Sequence, residues 1–181
     1  NSNMSIGKYY LNLARALKDS EIEFARIESW HNHPGFLDAV SEQIESGLNQ
    51  FDGTMPYVIF TAHSLPTFIL ETDDPYDDQL NETAGLLAKR FALEEGRWQF
   101  CYQSAGATAI PWLGPQIEEV VEQLAKAGEK NLLVVPIGFV SDHVEVLYDI
   151  DVDARQIAQR FGARLVPVSY THLRAHETKA N

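Results

Sequence analysis

A chain of 181 residues, 45% hydrophobic and 22% charged, has the make-up of a folded domain with one substantial core. Its net charge of −12, from 26 acidic against 14 basic residues, argues against nucleic acid as a partner and admits a cationic ligand such as a metal ion beside plain solubility. One cysteine, Cys101, excludes a disulfide framework or cysteine metal cluster and fits a reducing cytoplasm, and no apolar run reaches the roughly 20 residues that span a bilayer.

The chain opens without a methionine at position 1 and without a basic stretch feeding an apolar signal segment. An amphipathic helix is predicted over residues 5–18. In an alternating α/β chain that helix would follow a strand, so residues 1–20 read as a lead-in from an absent front half. A strand is expected over 21–28 and a helix over 34–49, with Pro34 suited to a first helical turn. In "MPYVIFTAHSLP" the apolar run 57–62 is a strand that ends at His63, in a His-Ser turn stopped by Pro66. The polar "ETDDPYDDQ" leads into a helix over about 75–95, and "RWQFCYQSAG" is a strand that runs out in Ser104 and Gly106. A helix from about Gly114, with Gly128 near its C-cap, precedes the strand "NLLVVPI". A further helix begins near Asp142, "VDARQIAQRFG" is helical up to Gly162, and "ARLVPV" is a last strand.

Strands alternating with helices predict an α/β fold, an open and mostly parallel Rossmann-like sheet with helices on both faces, over residues 21–167. Beyond it, "VPVSYTHLRAHETKAN" loses all periodicity. Residues 168–178 are similar to a translated reading frame of a sequencing-library adapter. That origin accounts for the whole stretch, whereas a zinc site would account only for His172 and His176 beside Glu177, so 168–181 is read as a non-native tail.

Ligands of such sheets lie beyond the carboxyl ends of the strands. Three strand ends here carry unusual polar groups: "TAHSLP", "YQSAGATAIPW" and "GFVSDHVEVLYD". At the first, His63 is either a turn histidine bonded to Ser64 or the backbone, or an imidazole that accepts a proton or binds a divalent metal. At the third, Glu145, Asp149 and Asp153 stand four residues apart on one helical face, where like charges cost about 0.2–0.5 kcal/mol per pair unless a cation is bound. Asp142 and Glu145 also fit a capping box, and Asp149 and Asp153 fit a solvated face. The metal reading joins His63 and Glu145 as ligands of Fe(II), with Asp149 and Asp153 as a wetter outer relay in which Mg(II) is a further candidate. Ser104 and Trp112 are either candidate substrate contacts, one a donor and the other a flat apolar surface, or parts of an ordinary strand-to-helix loop with a core tryptophan. No G-x-G-x-x-G or Walker A pattern points to a nucleotide cofactor, and no G-x-S-x-G elbow to a serine hydrolase.

The motifs "TAHSLP", "DPYDDQL", "YQSAG", "PWLGP" and above all "PIGFVSDHVEVLYDID" resemble those of the ferrochelatases, which insert Fe(II) into a porphyrin late in haem synthesis. The resemblance runs from the first residues to about Leu165. It implies two Rossmann-like domains with the porphyrin between them, of which this chain is similar to the second. It implies His63 and Glu145 as iron-site residues, Asp149 and Asp153 as the acidic face that carries hydrated metal, and Fe(II) and a porphyrin as substrates. The "GFVSDHVEVLYDID" form looks closer to the Gram-positive type and favours coproporphyrin III over protoporphyrin IX. Two alternatives stand beside it: a metal-binding or scaffold domain, inactive for want of the first domain, and a related cobalt or nickel chelatase.

Overall fold

The computed structural model describes residues 2–141 and 144–169, without the side chains of Glu145 and Val146. The expected helix start at Asp142 and the histidines of the tail therefore lie outside the described residues.

Among the described residues, four parallel strands form one sheet in the order β2-β1-β3-β4: β1 (Tyr57–His63), β2 (Trp98–Gln103), β3 (Asn131–Pro136) and β4 (Arg164–Pro167). The helices are α1 (Lys8–Ala16), α2 (Pro34–Leu48), α3 (Tyr76–Arg90), α4 (Ile117–Lys126), α5 (Val144–Leu147) and α6 (Arg155–Arg160). This is the expected α/β fold. β1 lies in the middle and is buried on both faces along six of its seven residues, which is why it reads as an unbroken apolar run rather than an alternation.

Its side chains divide between two cores. Val58, Phe60 and Ala62 pack with Val40 and Ile44 of α2 and Ala84 and Leu87 of α3. On the opposite face, Tyr57 and Ile59 pack with Ile117, Val120 and Val121 of α4, Ala158 of α6 and Ile150 of the π-helix between α5 and α6. The strand order places a topological switch between β1 and β3: the chain leaves β1 toward β2 and leaves β3 toward β4. The loops that follow these two neighbours diverge, and a crevice opens beyond their carboxyl ends.

Four local expectations are corrected. Residues 21–28 are extended but pair with no strand among the described residues, and Ile22 and Ile27 are 66% and 73% exposed. The helix expected from residue 5 is entered through a π turn, Asn3–Gly7, before α1. α3 stops at Arg90 rather than near 95: Ala92 takes a left-handed φ of 49°, and Leu93 N–H closes back on the Ala88 carbonyl at 2.9 Å, a Schellman-type end without its usual glycine. Finally, the acidic face is not one continuous α-helix: Glu145 lies in α5, whereas Asp149 and Asp153 lie in a π-helix, Tyr148–Ala154, between α5 and α6. At the end of the sheet, the Val168 N–H donates to the Val134 carbonyl at 2.9 Å and its side chain is buried, so ladder pairing reaches the first residue assigned to the tail.

Candidate active site

His63 is the last residue of β1, where the strand has lost its β3 neighbour and keeps only Gln103 on the β2 side. Its Nδ1 lies 2.5 Å from the Ser64 carbonyl, which can only accept, so Nδ1 donates and carries a proton. The expected turn-histidine bond and a functional imidazole are thus compatible: the first orients the second.

The peptide that follows is held at both ends. Tyr76 donates its hydroxyl to the His63 carbonyl at 2.8 Å, and the Ser64 N–H donates to the Gln103 carbonyl at 2.7 Å. Burial, with the Asp74 carboxylate adding to it, pushes the Tyr76 hydroxyl well above its ordinary range, so it remains a donor. Ser64 Oγ donates to the Leu113 carbonyl at 2.8 Å, and Leu113 N–H to the Leu65 carbonyl at 2.8 Å, stitching the loop after β2 to the turn after His63.

His63 lines a cavity of about 500 Å³ together with Trp30, Phe36, Leu65, Tyr76 and Gly138. Gly138 follows β3 and needs to be glycine, because a Cβ there would come within 2.7 Å of Ala62 Cβ and 3.1 Å of Ala62 Cα. The close approach of β3's exit to β1 is what brings the cavity wall against His63.

Ser104 and Trp112 do not line that cavity. Ser104, at a left-handed φ of 60°, donates its hydroxyl to Asp149 Oδ2. Trp112 donates Nε1 to Thr108 Oγ1 at 2.9 Å, and its indole lies where a Cβ on Gly106 would fall. The first therefore ties the loop after β2 to the π-helix, and the second folds that loop on itself.

Asp149 and Asp153 are half-buried on the α4 side of the sheet. Sequence reasoning missed Glu118, on the first turn of α4. Burial pushes its carboxyl above the usual range, and the charges of Asp149, Asp153 and Glu119 add to that against an opposing backbone hydrogen bond. Glu118 thus belongs to the same acidic surface, a grouping visible only once α4 is packed against the π-helix. Gln103 was also missed: it is fully buried, its Oε1 accepts from Thr61 Oγ1 at 2.7 Å, and its Nε2 has no partner among the described residues. The described residues bring His63, Asp149 and Asp153 to one end of the sheet, but no three of their His, Cys, Asp or Glu side chains form a metal-ligand set. The Glu145 side chain lies outside the described residues.

Comparison with known proteins decides the family. The ferrochelatase family model matches residues 1–175. The chain belongs to the ferrochelatase family. It is 41% identical over 170 residues to a ferrochelatase of Deinococcus radiodurans, covering 91% of this chain and 54% of that protein. It is 40% identical over 169 residues to a ferrochelatase of Herpetosiphon aurantiacus, with 91% and 55% covered. A coproporphyrin III ferrochelatase of a Geobacillus species is 38% identical over 141 residues, with 76% and 45% covered. The chain therefore spans about half the length of the curated ferrochelatases it matches. Among the described residues, no helix is long and apolar enough to cross a membrane.

Proposed function

We propose that this chain is the catalytic half of a cytoplasmic ferrochelatase that inserts Fe(II) into a porphyrin, with coproporphyrin III as the preferred substrate. The observation that carries the reading is His63: a half-buried imidazole with Nδ1 committed to the backbone, at the switch point of a parallel sheet, on the wall of a largely apolar cavity.

Metallation replaces two pyrrole N–H protons with a dication. It requires a base beside the macrocycle and a route that strips water from the metal. His63 Nε2 supplies a nitrogen that accepts a proton or ligates Fe(II), and Glu145, in the "SDHVEVLYD" motif, is its carboxylate partner. Apolar walls such as Trp30, Phe36 and Leu65 suit the faces of a porphyrin and raise the strength of electrostatic contacts made within them. Asp149 and Asp153 form the outer relay for hydrated metal. Their surface suits a cation, because Glu118 adds a third carboxyl to it. Mg(II) is a further candidate there. The preference for coproporphyrin III is supported by the "GFVSDHVEVLYDID" form and by the similarity to the Geobacillus coproporphyrin III ferrochelatase.

A second reading is a domain that holds metal without inserting it, favoured by the acidic surface that Glu118 shares with Asp149 and Asp153. Anaerobic mixing of the chain with Fe(II) and either coproporphyrin III or protoporphyrin IX separates the two. Loss of the free-base absorption bands, faster with coproporphyrin III, is the expected result. Metal binding with those bands unchanged would establish the holding domain instead.

A further inference from the structure

We propose that Tyr76 is a positioning residue for His63, and that Asp74 seats Tyr76 for this task; the proposal rests on the reading of His63 as the metal-site imidazole. His63 stands where β1 leaves the sheet, so its carbonyl has lost the ladder that would satisfy it. The peptide between His63 and Ser64 sets where the ring sits relative to the Ser64 carbonyl that fixes its tautomer. Two bonds hold that peptide. Gln103 accepts from its N–H at 2.7 Å, and Tyr76 Oη donates to its carbonyl at 2.8 Å. With the hydroxyl removed, the peptide is held at one end only and free to tilt, and the short Nδ1 contact to Ser64 at 2.5 Å is the first to loosen.

Tyr76 is itself placed from behind. Its backbone N–H donates to Asp74 Oδ1 at 3.1 Å, while Asp74 Oδ2 accepts from Ser2 Oγ and from the Asn3 N–H, each at 2.8 Å. Asp74 and Ser2 are both buried, 8% and 1% exposed, so these are bonds of a packed joint. The path Ser2–Asp74–Tyr76–His63 thus ties the N-terminal segment to the imidazole across about seventy residues of sequence.

Tyr76→Phe keeps the ring and deletes the hydroxyl. Tyr102→Phe is the control, because its hydroxyl is bonded to Asp77, next to Tyr76, and does not touch His63. The readout is the nitrogen-15 imidazole spectrum of this chain, with the His63 signals assigned through His63→Gln. Wild type and Tyr102→Phe are expected to show the Nδ1–H tautomer at His63, and Tyr76→Phe a mixture of both tautomers. Should Tyr76→Phe fail to fold by circular dichroism, Asp74→Asn is the second variant, with the tautomer preference reduced in the same sense. In insertion assays kcat is expected to fall about tenfold in Tyr76→Phe with KM for porphyrin unchanged, the fold-change that loss of one hydrogen bond to the site supplies. An unchanged His63 spectrum in Tyr76→Phe, or an equal change in Tyr102→Phe, would overturn the proposal. If wild type inserts no metal, the proposed function fails while the spectra still decide the role of Tyr76.

Discussion

In the proposed role, His63 depends on two features of its surroundings. A carbonyl fixes its tautomer and a strand end puts it at the cavity wall. Replacement of Gly138 by alanine tests the second of these: the new methyl meets Ala62 backbone and side chain, so a loss of about 1–3 kcal/mol in chemical denaturation is expected, together with weakened porphyrin binding. Binding intact in a destabilised Gly138→Ala protein would show that the approach of β3's exit to β1 does not shape the cavity. The place of His63 at a strand end was legible in the sequence because an apolar strand running into "HSLP" is a local pattern. Tyr76 and Gln103 were not, since nothing in "DPYDDQ" or "CYQSAG" tells which side chain will reach back to a strand end. Ser104 and Trp112 were singled out for their chemistry; the Ser104 hydroxyl donates to Asp149 and the Trp112 indole N–H to Thr108.

At the scale of elements, periodicity recovered the four strands of the sheet and the helices that cover them, and erred where a signal depends on a partner. Residues 21–28 have the apolar content of a strand, but hydrogen bonds make a strand and these residues have no pairing among the described ones. The end of α3 was missed because Ala92 occupies a left-handed position that sequence rules reserve for glycine. The acidic face was read as one helix, yet from Tyr148 it continues as a π-helix, whose register depends on how Ile150 and Ala154 reach the core. Its electrostatics give a prediction. Glu118 has a folded-state pKa raised above its ordinary value of 4.5, so its protonated form is favoured in the fold and its charge at neutral pH is a cost. Stability from this group is fully present below 4.5 and lost as pH rises through the folded value. Glu118→Gln is therefore expected to raise the melting temperature at pH 7 by up to about 2 °C, with the gain shrinking as pH falls toward the ordinary carboxylate range. A variant less stable than wild type at pH 7, or a difference independent of pH, would contradict the grouping of Glu118 with Asp149 and Asp153.

For the whole molecule, the strand order β2-β1-β3-β4 matters more than any single contact, because it decides which loops diverge. Sequence indicated a parallel sheet but not the order of its strands, since the path from β2 across β1 to β3 is set by packing in three dimensions. That order brings the ends of β1 and β3 together, with His63 on one and Gly138 after the other, while α4 and the π-helix carry the carboxylates on the opposite face. The central claim is that this junction inserts metal through His63. It is tested most directly by the anaerobic rate of Fe(II) insertion into coproporphyrin III by wild type and by His63→Ala, with folding of the variant checked by circular dichroism. Insertion by wild type that falls about 10²-fold or more in the variant is the predicted result. Equal rates in the two proteins, or insertion by neither, would contradict it.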